Sequence, residues 1–212
     1  MYSDLTFDEL NKLVGNRRFV DYEQYFGEMH LPEEKKKARR RLALIIEDYM
    51  LALMVYALTL EQYDKLDGSA LYKEYHRQLE QAVEDAGIPI DSYVLDHIDK
   101  AAADYAAVTI EHADDPYYFS SDRARFMSEC EANSFGNYLD YVEAEDNGAT
   151  YKTWHAINDL RTRETHIEVN GTQIPATSLF EVGGFLMRFP MDTEYGAPPE
   201  EIINCRCSLS YE

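Results

Sequence analysis

The chain has 212 residues, 45% of them hydrophobic, with a formal net charge of −20, which is enough for one large or two small domains with a real core. So acidic a surface repels nucleic-acid phosphates and excludes DNA binding except through a local basic patch. The first ten residues are acidic and not cationic then apolar, so we expect no signal peptide. Three cysteines, two of them in a C-x-C that forms a poor disulfide, predict an intracellular protein with reduced thiols.

Helical patterns dominate the first part of the chain. Apolar spacing predicts a short helix over residues 3–15, and residues 16–31 read as an irregular arm. Pro32 and two following acids predict the start of a helix that runs to about Leu66. Residues 42–60 of this helix are apolar nearly all round, which indicates burial in a core or at an oligomer interface.

The same apolar stretch is as long as a bilayer span. Glu47 and Asp48 lie in its first half, where each would be costly in hydrocarbon. Both flanks are charged and compatible with a helix. We therefore expect no membrane association.

A basic run precedes the apolar stretch, at residues 35–41. It could contact DNA or an acidic partner, or it could be a solvated helix face with neighbouring glutamates. Charge runs are usually solvated, so the second interpretation is favoured.

Two more helices are predicted at residues 70–86 and from Asp91 or Ser92 to about His112, each with one apolar face. His76, His97 and His112 share no spacing with cysteines or acids, so they are not predicted metal ligands. Asp114-Asp115-Pro116 indicates a boundary. Another helix follows at residues 121–142 and contains Cys130, which is expected to act as a small buried hydrophobe.

Strand-like patterns begin near Thr150. Strands are predicted at residues 150–157, 185–189 and 207–211, with a turn or short helix over 161–166. Asn170-Gly171 predicts a hairpin over residues 167–174. The fold class expected is α+β: a mainly helical N-terminal region, then a small α+β domain.

The residues most informative about function lie between Tyr151 and Cys207. Trp154 is the only tryptophan, and Cys205 and Cys207 flank Arg206. Four polar side chains able to bond one another lie within eight residues: Asp159, Arg161, Arg163 and His166.

This segment resembles the phage Mu F-like minor head proteins, also called the phage head morphogenesis family. That family's pattern is K-x-W, D-x-R-T-R-x-x-H, an N/D-G turn, a Phe, a Gly, P-x-D and N-C-R-C. The corresponding residues are Lys152, Trp154, Asp159, Arg161, Thr162, Arg163, His166, Asn170-Gly171, Phe180, Gly184, Pro190, Asp192 and Asn204-Cys205-Arg206-Cys207. Upstream, residues 121–133 resemble a family helix, with Glu129 at the position of its glutamate. Several motifs in the right order are more specific than any one alone.

The resemblance implies two regions: residues 1–119, helical and contacting portal or capsid, and residues 120–212, the Mu F-like domain. It implies a minor capsid protein of a tailed phage or prophage. Such a protein would bind the portal during procapsid assembly and aid DNA packaging or ejection. It would lie inside the head or at the portal vertex, and in the host cytoplasm during assembly. The major capsid and scaffold proteins are further candidate partners, while sequence-specific nucleic-acid binding and a membrane are not expected.

The polar residues of the segment have a structural interpretation, which is favoured. Asp159 would accept hydrogen bonds from Arg161 or Arg163, or cap the turn that follows. His166 would bond within that turn, and Trp154 would fill the core. Asn204, Cys205 and Cys207 would belong to the same structural set.

A zinc site is the alternative. His166, Cys205 and Cys207 are suitable ligands, with His155 or Asp159 as the fourth. Zinc usually takes C-x-x-C pairs and no fourth ligand is evident in the sequence, so we expect no metal and no cofactor.

An enzyme is the least favoured interpretation. A small nuclease or ADP-ribosyltransferase-like enzyme could use Asp159, Arg161, Arg163 and His166. The chain contains no phosphate-binding glycine loop, nucleophile elbow or H-E-x-x-H motif, so no catalytic residue is assigned.

Overall fold

The computed structural model describes residues 22–212. Its helices are α1 (Glu23–Phe26), α2 (Glu33–Gln62), α3 (Gly68–Asp85), α4 (Ser92–Glu111), α5 (Ser121–Asp146), α6 (Glu164–Glu168) and α7 (Pro199–Ile202), with a 3₁₀ turn at Pro116–Phe119. Its strands are β1 (Tyr151–His155), β2 (Gln173–Pro175), β3 (Phe180–Val182), β4 (Phe185–Met187) and β5 (Ser208–Tyr211). The helix predicted at residues 3–15 lies outside the described residues.

The predicted fold class is confirmed, because the described residues are helical up to Asp146 and form short strands beyond it. Local signals set the helix starts. Asp67 accepts a hydrogen bond of 2.8 Å from the backbone N–H of Ala70 and so caps α3. Asp91 accepts one of 2.9 Å from Val94 and caps α4. Such caps satisfy N–H groups that the helix leaves free.

By their contacts, the described residues form two compact units. The helical unit contains residues 42–128, and the mixed unit contains residues 22–41 and 129–212. Helices α2 and α5 each contribute residues to both units. The predicted division at residue 119 was drawn from motifs and stays a prediction.

In the helical unit α3 and α4 pack together, and buried side chains of α2 add to the same core. Tyr75 of α3 meets Tyr105 of α4 with ring centroids 5.0 Å apart. The apolar stretch of α2 contributes Ile46, Met50 and Leu53 to the buried core, whereas Leu44 keeps 50% of its surface exposed. Among the described helices, α2 is long and apolar enough to cross a membrane by length and composition, and half of its most apolar window is buried inside the protein. Burial in a protein core is an equally good explanation of that composition.

The mixed unit contains a three-stranded antiparallel sheet in the order β2-β1-β5. The central strand β1 places Trp154 opposite Leu209 of β5. Trp154 is fully buried and meets Phe180 edge-on at 5.2 Å between ring centroids, which confirms its predicted place in the core. Strands β3 and β4 form a separate hairpin.

The hairpin predicted over residues 167–174 is wrong. Residues up to Glu168 belong to α6, and β2 pairs with β1 instead. The Asn170-Gly171 turn is held by β1 itself: Gly171 donates to the Trp154 carbonyl at 2.8 Å, and the Asn170 side chain accepts from Ala156 at 2.9 Å. These tertiary bonds override the local preference for a hairpin.

Candidate functional site

The C-x-C segment lies buried between α7 and β5. Asn204 adopts a left-handed φ of 58° and so turns the chain after α7, a conformation that asparagine tolerates better than most residues. The side chains of Cys205 and Cys207 are both about 98% buried, with 2% of their surface exposed. Both thiols are free, as is that of Cys130.

Helix α5 fixes this segment through its backbone. The amide of Asn133 donates to the Cys205 carbonyl at 2.8 Å, and the amide of Asn137 donates to the Cys207 carbonyl at 3.3 Å. The hydroxyl of Tyr25 also donates to the Cys205 carbonyl, at 3.0 Å. Buried carbonyls need such partners, so the C-x-C backbone is held from one side.

Arg39 of α2 orients both asparagines of α5. Its guanidinium donates to the side-chain oxygens of Asn133 at 3.2 Å, Asn137 at 3.0 Å and Asp140 at 2.8 Å. A Cβ on Gly136 would lie 2.6 Å from the Arg39 Nε, so a glycine is needed where the arginine crosses the helix.

This network was missed by the sequence analysis. The solvated-face interpretation of residues 35–41 is wrong for Arg39, which is 2% exposed, and Lys35 bonds Asp140 at 2.8 Å. The available signal was the spacing of small polar residues on α5, where positions 133, 136, 137 and 140 share one helix face.

His166, Cys205 and Cys207 form a compact group of possible metal ligands, named here the His–Cys cluster. Their ligand atoms all lie within 4.8 Å of one another, and all three side chains are buried. The Nδ1 of His166 is 3.3 Å from the Sγ of Cys207 and 3.5 Å from that of Cys205. The His166 side chain therefore bonds the two thiols, whereas the sequence predicted a bond within its own turn.

The opposite edge of the imidazole faces a carboxylate. The Nε2 of His166 lies 3.1 Å from Oε2 of Glu201, which also accepts a hydrogen bond of 2.9 Å from the Thr165 hydroxyl. Trp154 packs edge-on against the imidazole, with ring centroids 5.8 Å apart.

The pKa values of the two thiols are shifted in opposite directions. A hydrogen bond from Cys207 holds the pKa of Cys205 well below its ordinary value, with His166 acting in the same direction. That same bond, together with burial, raises the pKa of Cys207. Burial lowers the pKa of His166, but the hydrogen bond to Cys205, the negative charge of that thiolate and the Glu201 carboxylate together outweigh burial, so the pKa is raised. The cluster thus favours a thiolate beside a charged imidazole.

Asp159 belongs to a different group. Its carboxylate binds the Arg206 guanidinium through Nη2, at 2.7 and 2.8 Å from its two oxygens, and accepts from the Arg161 backbone N–H at 3.0 Å. The Arg161 guanidinium is more distant, at 3.8 Å. Arg163 donates to the Ile203 carbonyl instead. The four polar residues expected to bond one another therefore do not form one cluster: Asp159 and Arg161 share a turn, while Arg163 and His166 bond elsewhere.

A cavity of about 10 Å³ adjoins the His–Cys cluster; its lining includes Thr162, Asn204 and all three cluster residues. That is room for about one water molecule. One water-sized ligand fits there, whereas an organic substrate does not. His155, a candidate fourth ligand, instead bonds Ser210 at 2.8 Å, and Asp159 is held by Arg206.

Comparison with known proteins agrees with the motif order. No curated protein and no solved structure matches the chain. The model of the family described as Phage Mu protein F like protein matches residues 72–210, which is well over half of the chain. The match reaches upstream through α3 and α4, where no motif had been recognised. The chain therefore belongs to the phage Mu F-like family, and this membership indicates a bacteriophage protein of head morphogenesis.

Proposed function

We propose that this protein is a minor head protein that binds the portal during procapsid assembly and has no enzymatic activity of its own. The observation that carries the proposal is the family match over residues 72–210. In this proposal the protein acts in the host cytoplasm during assembly, then lies inside the head or at the portal vertex. From there it aids DNA packaging or ejection.

The bonding of the polar residues supports a structural role. Asp159 is bound by Arg206, Arg163 by the Ile203 carbonyl, and His166 is 2% exposed. A catalytic acid or base must reach its substrate within hydrogen-bonding distance. Because these side chains are already engaged or buried, the nuclease or transferase alternative gains no support from their geometry.

The charge of the chain and the exposed surface of residues 33–112 suggest how the portal would be bound. Several large apolar side chains within residues 33–112 are well exposed, including Leu44 at 50% and Ile110 at 42%. The chain carries a net charge of −20, and the basic residues Lys35, Arg39 and Arg40 are paired with carboxylates of this chain. A protein surface is therefore a better partner than DNA, and apolar burial would carry the affinity.

Co-expression with the portal protein of the same phage tests this proposal. The full chain should be used, because residues 22–41 belong to the same unit as residues 129–212 and a cut at residue 119 would divide that unit. We expect the portal to capture the wild-type chain, with only modest weakening by salt. Leu44→Glu and Ile110→Glu should each reduce capture at least tenfold.

Two exposed leucines of the mixed unit are matched controls. Leu160 is fully exposed and Leu186 is 45% exposed, so Leu160→Glu and Leu186→Glu should leave capture unchanged. If only Leu160→Glu and Leu186→Glu lost capture by the portal, the portal contact would lie on the mixed unit instead. Failure of the wild-type chain to bind would remove portal binding from the proposal. Detection of the protein in purified heads, before and after DNA release, tests its location separately.

A further inference from the structure

We propose that His166, Cys205 and Cys207 bind one zinc ion, with a water molecule as the fourth ligand. This proposal is independent of portal binding. The sequence had favoured no metal, because C-x-C is an uncommon zinc spacing and no fourth ligand was evident. The arrangement of the folded chain supports the opposite conclusion.

The distances fit a tetrahedral ion. Zinc bonds are about 2.3 Å to sulfur and about 2.0–2.1 Å to nitrogen. In a tetrahedron, bonds of these lengths place nitrogen and sulfur ligands about 3.5 Å apart. The Nδ1 of His166 lies 3.3 Å from one sulfur and 3.5 Å from the other. An ion can therefore enter with small movements of the three side chains.

The imidazole is oriented for metal binding. Glu201 faces the Nε2 of His166 at 3.1 Å, and Thr165 holds that carboxylate at 2.9 Å. A carboxylate behind a histidine keeps the proton on the far nitrogen, so the near nitrogen presents its lone pair to the metal. Here the near nitrogen is Nδ1, which faces both sulfurs.

The sulfur ligands are also held in place before any metal binds. Asn133 and Asn137 bind the carbonyls of Cys205 and Cys207, so the backbone that carries both thiols is fixed by α5. The backbone N–H of Cys207 donates to the Sγ of Cys205 at 3.4 Å. Such N–H···S contacts stabilise a thiolate, the form in which cysteine binds metal.

The identity of the ion follows from its ligands and the space available. Thiolate and imidazole ligands in a tetrahedral arrangement favour zinc over magnesium or calcium. Two thiolates neutralise the charge of a divalent zinc ion, which makes burial tolerable. The adjoining cavity of about 10 Å³ admits about one water molecule as the fourth ligand. Zinc binding would release the thiol protons and add to the stability of the mixed unit.

The test is elemental analysis of the full chain, purified without a histidine tag or chelator, reduced, and dialysed after exposure to zinc. We expect about one zinc per chain. Cys205→Ser and Cys207→Ser should each lower this at least fivefold. Cys130→Ser is the matched control: Cys130 is a buried thiol that bonds the Asn204 N–H at 3.3 Å and lies outside the cluster. The Cys130→Ser variant should still contain about one zinc per chain.

Cobalt supplies a second measurement that does not depend on the variants folding. Cobalt(II) added to the reduced wild-type chain should give a thiolate-to-metal charge-transfer band in the near ultraviolet and intense visible bands of tetrahedral geometry. Wild-type protein with less than a tenth of a zinc per chain and no such bands would overturn the proposal. So would equal zinc content in the Cys205→Ser and Cys130→Ser variants, or a Cys205–Cys207 disulfide that persists under reduction.

Discussion

A single guanidinium nitrogen of Arg206 binds both carboxylate oxygens of Asp159. Nη2 lies 2.7 Å from Oδ1 and 2.8 Å from Oδ2. The arginine side chain is 4% exposed and the aspartate side chain 33% exposed. The turn after β1 is thereby fastened to the residue between the two cysteines, 47 positions further along the chain.

Asp159→Ala is expected to lower the free energy of unfolding by about 1–3 kcal/mol. The substitution leaves the buried Arg206 without its closest carboxylate and removes the cap on the Arg161 N–H. Chemical denaturation measures the change. Glu168→Ala, at an exposed acid of the same segment, should change stability by less than about 0.5 kcal/mol. Equal effects from both substitutions would mean that the pair adds nothing to stability.

The pair of Asp159 and Arg206 also predicts that the stability of the protein falls at acidic pH. The hydrogen bond from Arg206 lowers the pKa of Asp159 to about 2. Because this pKa is depressed on folding, the stabilisation is present above the ordinary value of about 3.9 and is lost as the pH falls toward 2. Thermal unfolding of wild type and Asp159→Asn should therefore differ above pH 4 and converge near pH 2. A constant difference over that range would contradict this assignment.

Gly136→Ala is expected to destabilise the protein by about 1–3 kcal/mol. In most helix interiors this change stabilises by about 0.5–1 kcal/mol. Here the new Cβ would lie 2.6 Å from the Arg39 Nε. The control is Gly68→Ala in the first turn of α3, where the nearest atom is 3.8 Å away, and its melting temperature should not fall. A rise for Gly136→Ala would show that Arg39 can move aside.

Asn137→Ala should cost about 2–3 kcal/mol of unfolding free energy. The amide binds the carbonyls of Pro190 and Cys207, and its oxygen accepts from Arg39. Truncation removes the amide donor from both buried carbonyls and one of the three acceptors of the Arg39 guanidinium. Denaturation of this variant can be compared with Asn147→Ala, at an exposed asparagine just after α5, which should be nearly neutral.

Lys152 predicts a gain of stability at alkaline pH. Its side chain is buried, and its Nζ donates to the Arg188 carbonyl at 2.8 Å. Burial lowers the lysine pKa to about 8. Since the folded pKa is below the ordinary value of about 10.4, the cost of charging the buried amine disappears as the pH rises from about 8 to 10.4. Lys152→Met should show a smaller rise in melting temperature between pH 7.5 and 9.5 than wild type does.

Sequence reasoning succeeded where a structure depends on neighbours along the chain. Helices α3 and α4 were predicted to within two residues at each end, because their caps and apolar periodicity are local. Trp154 was placed in the core because a lone large aromatic dominates burial in a small unit.

It failed where the position of a residue depends on contacts with residues far away in the sequence. The Asn170-Gly171 turn is held by β1, and the buried Arg39 donates a hydrogen bond to Asn133, 94 positions away. Arg206, the closest partner of Asp159, follows it by 47 positions. The motif order named His166 and both cysteines, but their separation of a few ångströms depends on α7 and β5, which periodicity alone does not position.

The bond from Tyr25 to Cys205 joins residues 180 positions apart, and Ser208 likewise donates to the carbonyl of His30 at 3.1 Å. Ribosomes add roughly 5–20 residues per second, so residues 22–31 emerge about ten seconds or more before these partners exist. The helical unit, residues 42–128, is fully synthesised within that interval. Tyr25 and Phe26, both buried in the folded protein, therefore remain without their late partners until the last part of the mixed unit has been synthesised.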